Sequence, residues 1–137
     1  MTGRGYSGTP LAAKLGLGPG KTILLLGAPA NYASLVGPAL AELKKVKALG
    51  PGVDIVHMFT ASRSRLSSAL LDCRRQLKKP DAVVWVSWPK KSSGVPSDVT
   101  EDTIRDLALP LGFVDVKVCA VDETWSGLKL MVRKALR

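Results

Sequence analysis

Residues 82–94, AVVWVSWPKKSSG, constrain this chain more than any other stretch. Apolar, β-branched and aromatic residues run to Trp88-Pro89, and Lys90, Lys91, Ser92, Ser93 and Gly94 follow at once. A strand with so few polar positions has no face to give to water, so it has to be covered on both sides, as in the parallel sheets of α/β proteins. Its basic, hydroxyl-bearing continuation then emerges at the carboxyl edge of the sheet, where such proteins bind ligands.

The rest of the chain supplies the partners this strand needs. Residues 21–26, KTILLL, form a second apolar strand that ends at Gly27-Ala28-Pro29, and residues 53–59, VDIVHMF, form a third after the turn at Gly50-Pro51-Gly52. Gly20-Lys21-Thr22 is not a phosphate loop: Leu15 stands where the first glycine is required, and the glycine precedes a strand instead of following one. Thr9 as N-cap, Pro10 at the first helical position and Gly16 at the stop mark a short helix behind an arm at Tyr6-Ser7-Gly8. Another short helix covers about 31–36, up to Gly37-Pro38. Residues 39–49, ALAELKKVKAL, read both ways, helical by composition and strand-like in the alternation Lys45-Val46-Lys47.

Ser62 or Ser64 caps a longer helix in which Leu66, Leu70, Cys73 and Leu77 share one face. Arg74, Arg75, Lys78 and Lys79 gather at its carboxyl end, where the helix dipole favours cations, and Pro80 stops it. Thr100, Glu101 and Asp102 open a helix running to about Leu109, residues 113–121 form a strand, 122–127 a hairpin loop and 128–133 the returning antiparallel strand. That order is the order of a three-layer, Rossmann-like α/β domain: a mostly parallel sheet closed by a C-terminal antiparallel β-hairpin, with 1–137 forming one domain.

If these strands run parallel, one sheet edge collects Gly27, Ala28 and Pro29, the Lys90-Lys91-Ser92-Ser93 loop and the hairpin with Asp122, Glu123 and Trp125. The lysines offer charge, the serines offer hydroxyls, Trp88 and Trp125 offer flat walls for a ring, and Asp122 and Glu123 offer acceptors for ligand hydroxyls or counter-ions for the lysines. A net charge of +9 favours an anionic partner. Eight of the eleven acids lie from Asp81 onward, so the basic surplus falls earlier in the chain. Cys73 and Cys119 sit in apolar patterns without metal-ligand spacing and read as reduced thiols; no metal site is expected. His57, alone in a strand, reads as a satisfied structural residue. No apolar run approaches the roughly 18 residues of a membrane span, and the start lacks a signal core, so a cytoplasmic protein is expected.

Two resemblances add to this reading. The run TEDTIRDLALPLGF with its two-strand finish resembles the carboxyl half of class I S-adenosylmethionine methyltransferases, which implies their fold and makes S-adenosylmethionine the cofactor to consider. KTILLLGAPAN keeps only Gly27 of their glycine-rich first loop, and no acidic residue answers the one that holds the cofactor ribose, so no cofactor is assigned. GYSGTPLA, SWPKKSSGVPSD and CAVDETWSGLK together resemble a bacterial family catalogued as a domain of unknown function, which implies a small cytosolic protein and carries over no activity. The function expected from the residues is a binding module for a small anionic or nucleotide-like ligand at the carboxyl edge; no nucleophile sits beside a base, and whether the chain is an enzyme stays open, a divergent methyltransferase being the form it would take. The alternatives are a divergent S-adenosylmethionine-dependent methyltransferase and a basic nucleic-acid or protein-interaction domain; if residues 39–49 give little helical cover, a sheet face is left for the amino-terminal helix or for a second subunit in a homodimer.

Overall fold

Six strands form one sheet: β1 (Thr22–Leu26), β2 (Lys44–Val46), β3 (Ile55–Phe59), β4 (Val83–Pro89), β5 (Phe113–Ala120) and β6 (Trp125–Val132). Their order is β2-β1-β3-β4-β6-β5 in the computed structural model, which describes residues 10–137. β2, β1, β3 and β4 are parallel neighbours, and β6 pairs antiparallel with both β4 and β5. The fold is therefore the Rossmann-like α/β sheet expected, with its antiparallel closing hairpin.

Alternation along the strands feeds two cores. Val84, Val86 and Trp88 of β4, with Val56 and Met58 of β3, meet α3 (Arg63–Gln76) and α4 (Glu101–Ala108) on one face through Leu66, Leu70, Cys73, Ile104 and Ala108. Ile55, Phe59 and Trp85 face the other way, against Leu15 of α1 (Leu11–Leu15) and Tyr32 and Val36 of α2 (Tyr32–Val36). β3 is buried at all five positions, which is why it reads as a continuous apolar run. Trp85 is fully buried and its indole Nε1–H donates to the carbonyl of Leu15 at 3.0 Å, tying α1 to the sheet.

Two boundaries differ from the sequence reading. Residues 39–49 resolve into a 3₁₀ helix over Gly37–Glu42 and the three-residue strand β2, so the alternation around Val46 counted and the helical composition did not. Leu49 and Val53, on the return from β2 to β3, pack into the α3–α4 core. β6 begins at Trp125, not after Gly127, so the turn shrinks to 121–124. Gly127 is buried in the strand, where a Cβ would stand 3.4 Å from the Trp85 ring and 3.3 Å from Val121. It is a packing glycine, and sequence alone makes it look like a turn. Thr9 and the arm at 6–8 lie outside the described residues; the C-cap Gly16 does adopt the left-handed conformation, at φ 74°.

Helix ends follow the cap rules. Ser62 accepts from the Arg65 amide at α3, and at α4 Thr100 and Thr103 each accept from the other's backbone amide. Arg105 in α4 bridges Glu101 one turn back and Asp115 of β5, at 2.8 Å for the latter, which fastens the helix to the strand it precedes. Both sheet margins are irregular: β2 has three residues, and β5 carries a register shift between Asp115 and Lys117. Thr100→Ala removes one capping acceptor and is expected to lower stability by about 1 kcal/mol in urea unfolding, leaving the slope of the transition unchanged.

Candidate functional site at the carboxyl edge

The chain runs outward from β1 to β2 and then returns past β1 to β3, so the strand order reverses between β1 and β3. In open α/β sheets the crevice outside such a reversal is where ligands bind. It is formed here by the loop from Gly27 to Asn31 after β1 and by Thr60-Ala61-Ser62 after β3. Gly27 has φ +67°, and a Cβ on it would lie 2.6 Å from the carbonyl oxygen of Phe59. Glycine is thus required twice at this point, by the backbone conformation and by the approach of the neighbouring strand.

The loops are fastened to one another by backbone. Thr60 N–H donates to Ser87 O at 3.0 Å, Asp98 N–H to Ala61 O at 3.1 Å and Lys90 N–H to Thr124 O at 2.8 Å. The Asp98 carboxylate accepts from Arg63 N–H at 2.6 Å, joining the loop after β4 to the start of α3. Phe59 and Trp125 meet edge to face at 5.1 Å, which closes the hairpin over β3. Gly27-Ala28-Pro29, Lys90 to Gly94 and the 121–124 turn accordingly share one edge.

Several of the sequence-picked residues already have structural work there. Asp122 Oδ1 accepts from the amides of Thr124 and Trp125, both at 2.8 Å, so it shapes its own turn. Ser93 Oγ donates to Lys90 O at 2.6 Å and accepts from Val95 N–H, holding the short 3₁₀ turn Lys91–Ser93. Trp88 is buried in the α3–α4 core, whereas Trp125 pairs in register with Pro89 and belongs to the opposite face. The two rings lie on opposite sides of the sheet and cannot form one stacking cleft. Lys90 is half-buried, Lys91 and Ser92 are exposed, and Glu123 is exposed at the tip of the turn. Asp98, Asp122 and Glu123 stand on this edge with Lys90, Lys91, Arg63 and Arg65, while Glu101 and Asp102 pair with Arg105.

Under the edge lies a buried polar chain that sequence reasoning did not assemble. Tyr32 Oη and His57 Nδ1 are 2.9 Å apart, and His57 Nε2 and Ser87 Oγ are 2.8 Å apart. His57 and Ser87 are fully buried, and the imidazole stacks on Phe59 at 4.3 Å. A neutral imidazole carries one N–H, so one hydroxyl donates to the ring and the other accepts from it. Burial holds the His57 pKa down at about 3 and pushes the Tyr32 hydroxyl up. The chain supports the loops; a fully buried Ser87 is no accessible nucleophile. Its one sequence signal was a histidine in an apolar strand. Cys73 is buried, Cys119 half-buried, and both are free thiols; burial pushes the Cys73 thiol up to about 12. Among the described residues no His, Cys, Asp and Glu cluster could hold a metal ion, and no helix is long and apolar enough to cross a membrane.

No protein-family model and no curated protein matches the chain, which leaves the likeness to the bacterial family of unknown function without support. Solved structures do match. A SAM-dependent methyltransferase from Aquifex aeolicus aligns with TM-score 0.64 and 17% identity over 90% of this chain and 88% of that one. Aeropyrum pernix fibrillarin, solved with natively bound S-adenosyl-L-methionine, aligns with TM-score 0.58 and 16% identity over 88% and 73%. A protein of the NADB-Rossmann superfamily from Streptococcus agalactiae aligns with TM-score 0.53 and 12% identity over 93% and 69%. At such identities the likeness is one of fold, and the fold is that of class I methyltransferases.

Two outcomes are expected from these contacts. Gly27→Ala combines a left-handed backbone cost of about 1–2 kcal/mol with displacement of the Phe59 carbonyl, so chemical denaturation should show a loss above that range. The unfolded chain takes up a proton on His57 near pH 6.5, while the folded chain does not until about pH 3. Stability from this residue is full above pH 6.5 and falls as the pH drops through that window, by at most about 1.4 kcal/mol per pH unit. Urea midpoints should therefore decline between about pH 6.5 and 5, above the range where carboxylates such as Asp115, held low by its hydrogen bond from Arg105, begin to contribute, and His57→Gln should flatten that decline.

Proposed function

We propose that this chain is a divergent S-adenosylmethionine-dependent methyltransferase whose ligand lies in the crevice between the Gly27 loop and the Thr60 to Ser62 loop. The supporting observation is its fold likeness to methyltransferases, one of them solved with S-adenosyl-L-methionine bound, at a sheet whose order reverses beside Gly27. A glycine there lets a ligand approach the backbone closely. The fit to that cofactor is incomplete. β2 ends at Val46, level with Leu24, and the next residue is the exposed Lys47, where a ribose-reading site needs a carboxylate. Among the described residues the two candidates nearest the crevice are not available for a transfer step: His57 is buried and neutral, and Ser87 is buried with it.

Lys47 favours a second reading, a binding module for a phosphate-bearing nucleotide. In dinucleotide-binding folds an acidic residue about 20 positions beyond the first glycines reads ribose hydroxyls, and a cation nearby accommodates a ribose phosphate instead. Lys47 follows Gly27 by 20 positions, 47 minus 27, at the corresponding strand end. The likeness to the NADB-Rossmann protein supports the same reading.

Thermal unfolding of the purified chain with S-adenosylmethionine, S-adenosylhomocysteine or NADP separates the two. A ligand at about 100 times its Kd stabilises by roughly 2.7 kcal/mol, a shift of several degrees. A shift with S-adenosylhomocysteine but not NADP supports the methyltransferase. A shift with NADP that Lys47→Glu abolishes supports the nucleotide module, and no shift with any of the three sinks both.

A further inference from the structure

A cluster of cations lies at the opposite edge of the sheet, where the parallel strands begin. There Arg74, Lys78, Lys79 and Arg137 line an open groove of about 190 Å³ between the end of α3 and the turn after β6, with Leu77, Pro80, Val132 and Leu136 forming its apolar wall. Arg74 Nε donates to Leu111 O at 2.8 Å and Arg137 Nε to Val132 O at 2.7 Å. Those bonds fix each guanidinium through one nitrogen and leave its two terminal NH₂ groups as a fork suited to a phosphate. Lys79 pairs with Asp54 at 2.8 Å, and Lys78 has no ion pair among the described residues. Past the groove the positive surface continues through the exposed Arg75, Arg133 and Lys134.

The helix dipole accounts for Arg74 and Arg75, in the last turn of α3, and not for the rest of this concentration. Lys78 and Lys79 lie beyond the last residue of α3, and Arg133, Lys134 and Arg137 belong to the segment after β6. Among the described residues these seven cations stand with fewer carboxylates: Asp54, which is paired with Lys79, Asp81, and Asp72 one helical turn before Arg75. Like charges brought this close repel one another, and a polyanion that releases its own counter-ions relieves the repulsion. The run of cations is also longer than one phosphate group can use.

We propose that this groove binds the sugar-phosphate backbone of a nucleic-acid strand, in a role separate from the crevice at the carboxyl edge. The contacts are to phosphate, so binding has little sequence preference and depends steeply on salt.

Fluorescence anisotropy of the full chain with a labelled RNA of about 20 nucleotides, and with DNA of the same sequence, over about 50–300 mM KCl tests this. Four phosphate contacts give a log–log salt slope of about −3 on a single strand. Lys78→Gln with Arg137→Gln should weaken binding at low salt by about tenfold or more and make the slope shallower by about 1.5. Arg63→Gln with Arg65→Gln removes the same charge at the other end of α3 and should leave slope and affinity near those of the parent. Lys78→Gln alone, at an exposed position, gives a smaller change of the same sign and serves if the double variant does not fold. Equal losses in the two double variants, or no binding at low salt, would overturn the proposal. Inorganic phosphate or pyrophosphate competing at about micromolar concentration would overturn it too, by assigning the groove to a free phosphate in place of a polymer.

Discussion

Burial of β4 on both faces is the constraint on which the rest of this structure depends. Its residues alternate between two cores, so helices are needed on either side: α3 and α4 over Val84, Val86 and Trp88, and α1 and α2 over Trp85. Every polar group that goes under with it must find a partner inside. Ser87 meets His57, His57 meets Tyr32, and the Trp85 indole meets a carbonyl at the end of α1. An unmade bond at any of these sites would cost about 1–3 kcal/mol, a large share of the stability of a domain this size. The buried chain also reaches from β4 through β3 to the first residue of α2, so it holds the end of the loop after β1 in place from below.

Much of this was legible in the sequence because apolar runs bounded by glycine and proline leave few alternatives. β1, β3 and β4 were recognisable as doubly covered strands, and the caps at Ser62 and Thr100 were recognisable from residue type. What escaped was decided by tertiary contact. β2 is a three-residue strand hidden in a helix-like composition, and only pairing with β1 from Thr22 to Leu24 selects it. Gly127 resembles a turn residue until the Trp85 ring is seen packed against its backbone. Trp88 and Trp125 are close in the sheet, and only the register Pro89↔Trp125 reveals that they face opposite ways.

The candidate site shows the same division. Its address, the edge reached by Gly27, Lys90 and the hairpin, followed from strand order alone. Its chemistry did not, because Asp122 and Ser93 resemble ligand-reading groups in sequence and are instead bonded to their own turns. Net charge is less specific. A chain of net charge +9 with two lysines beside its carboxyl edge invites an anion there, and folding gathers further cations at the other edge, between the end of α3 and the turn after β6. Total charge is a property of composition, whereas its placement is set by which helix ends and strand starts the topology brings together.

The irregular sheet margins bear on how this molecule keeps company with its own kind. β2 offers a run of only three residues and bears Lys44 and Lys45, and β5 interrupts its outer row of amides and carbonyls with a bulge beside Lys117. A straight, unbroken outer strand is a template for adding another strand, and short, charged or bulged margins deny that template. Val116 and Val118, exposed on either side of Lys117, would otherwise make β5 adhesive. Among the described residues the sheet runs to six strands, and each margin is built against the edge-to-edge pairing that a smooth outer strand would allow.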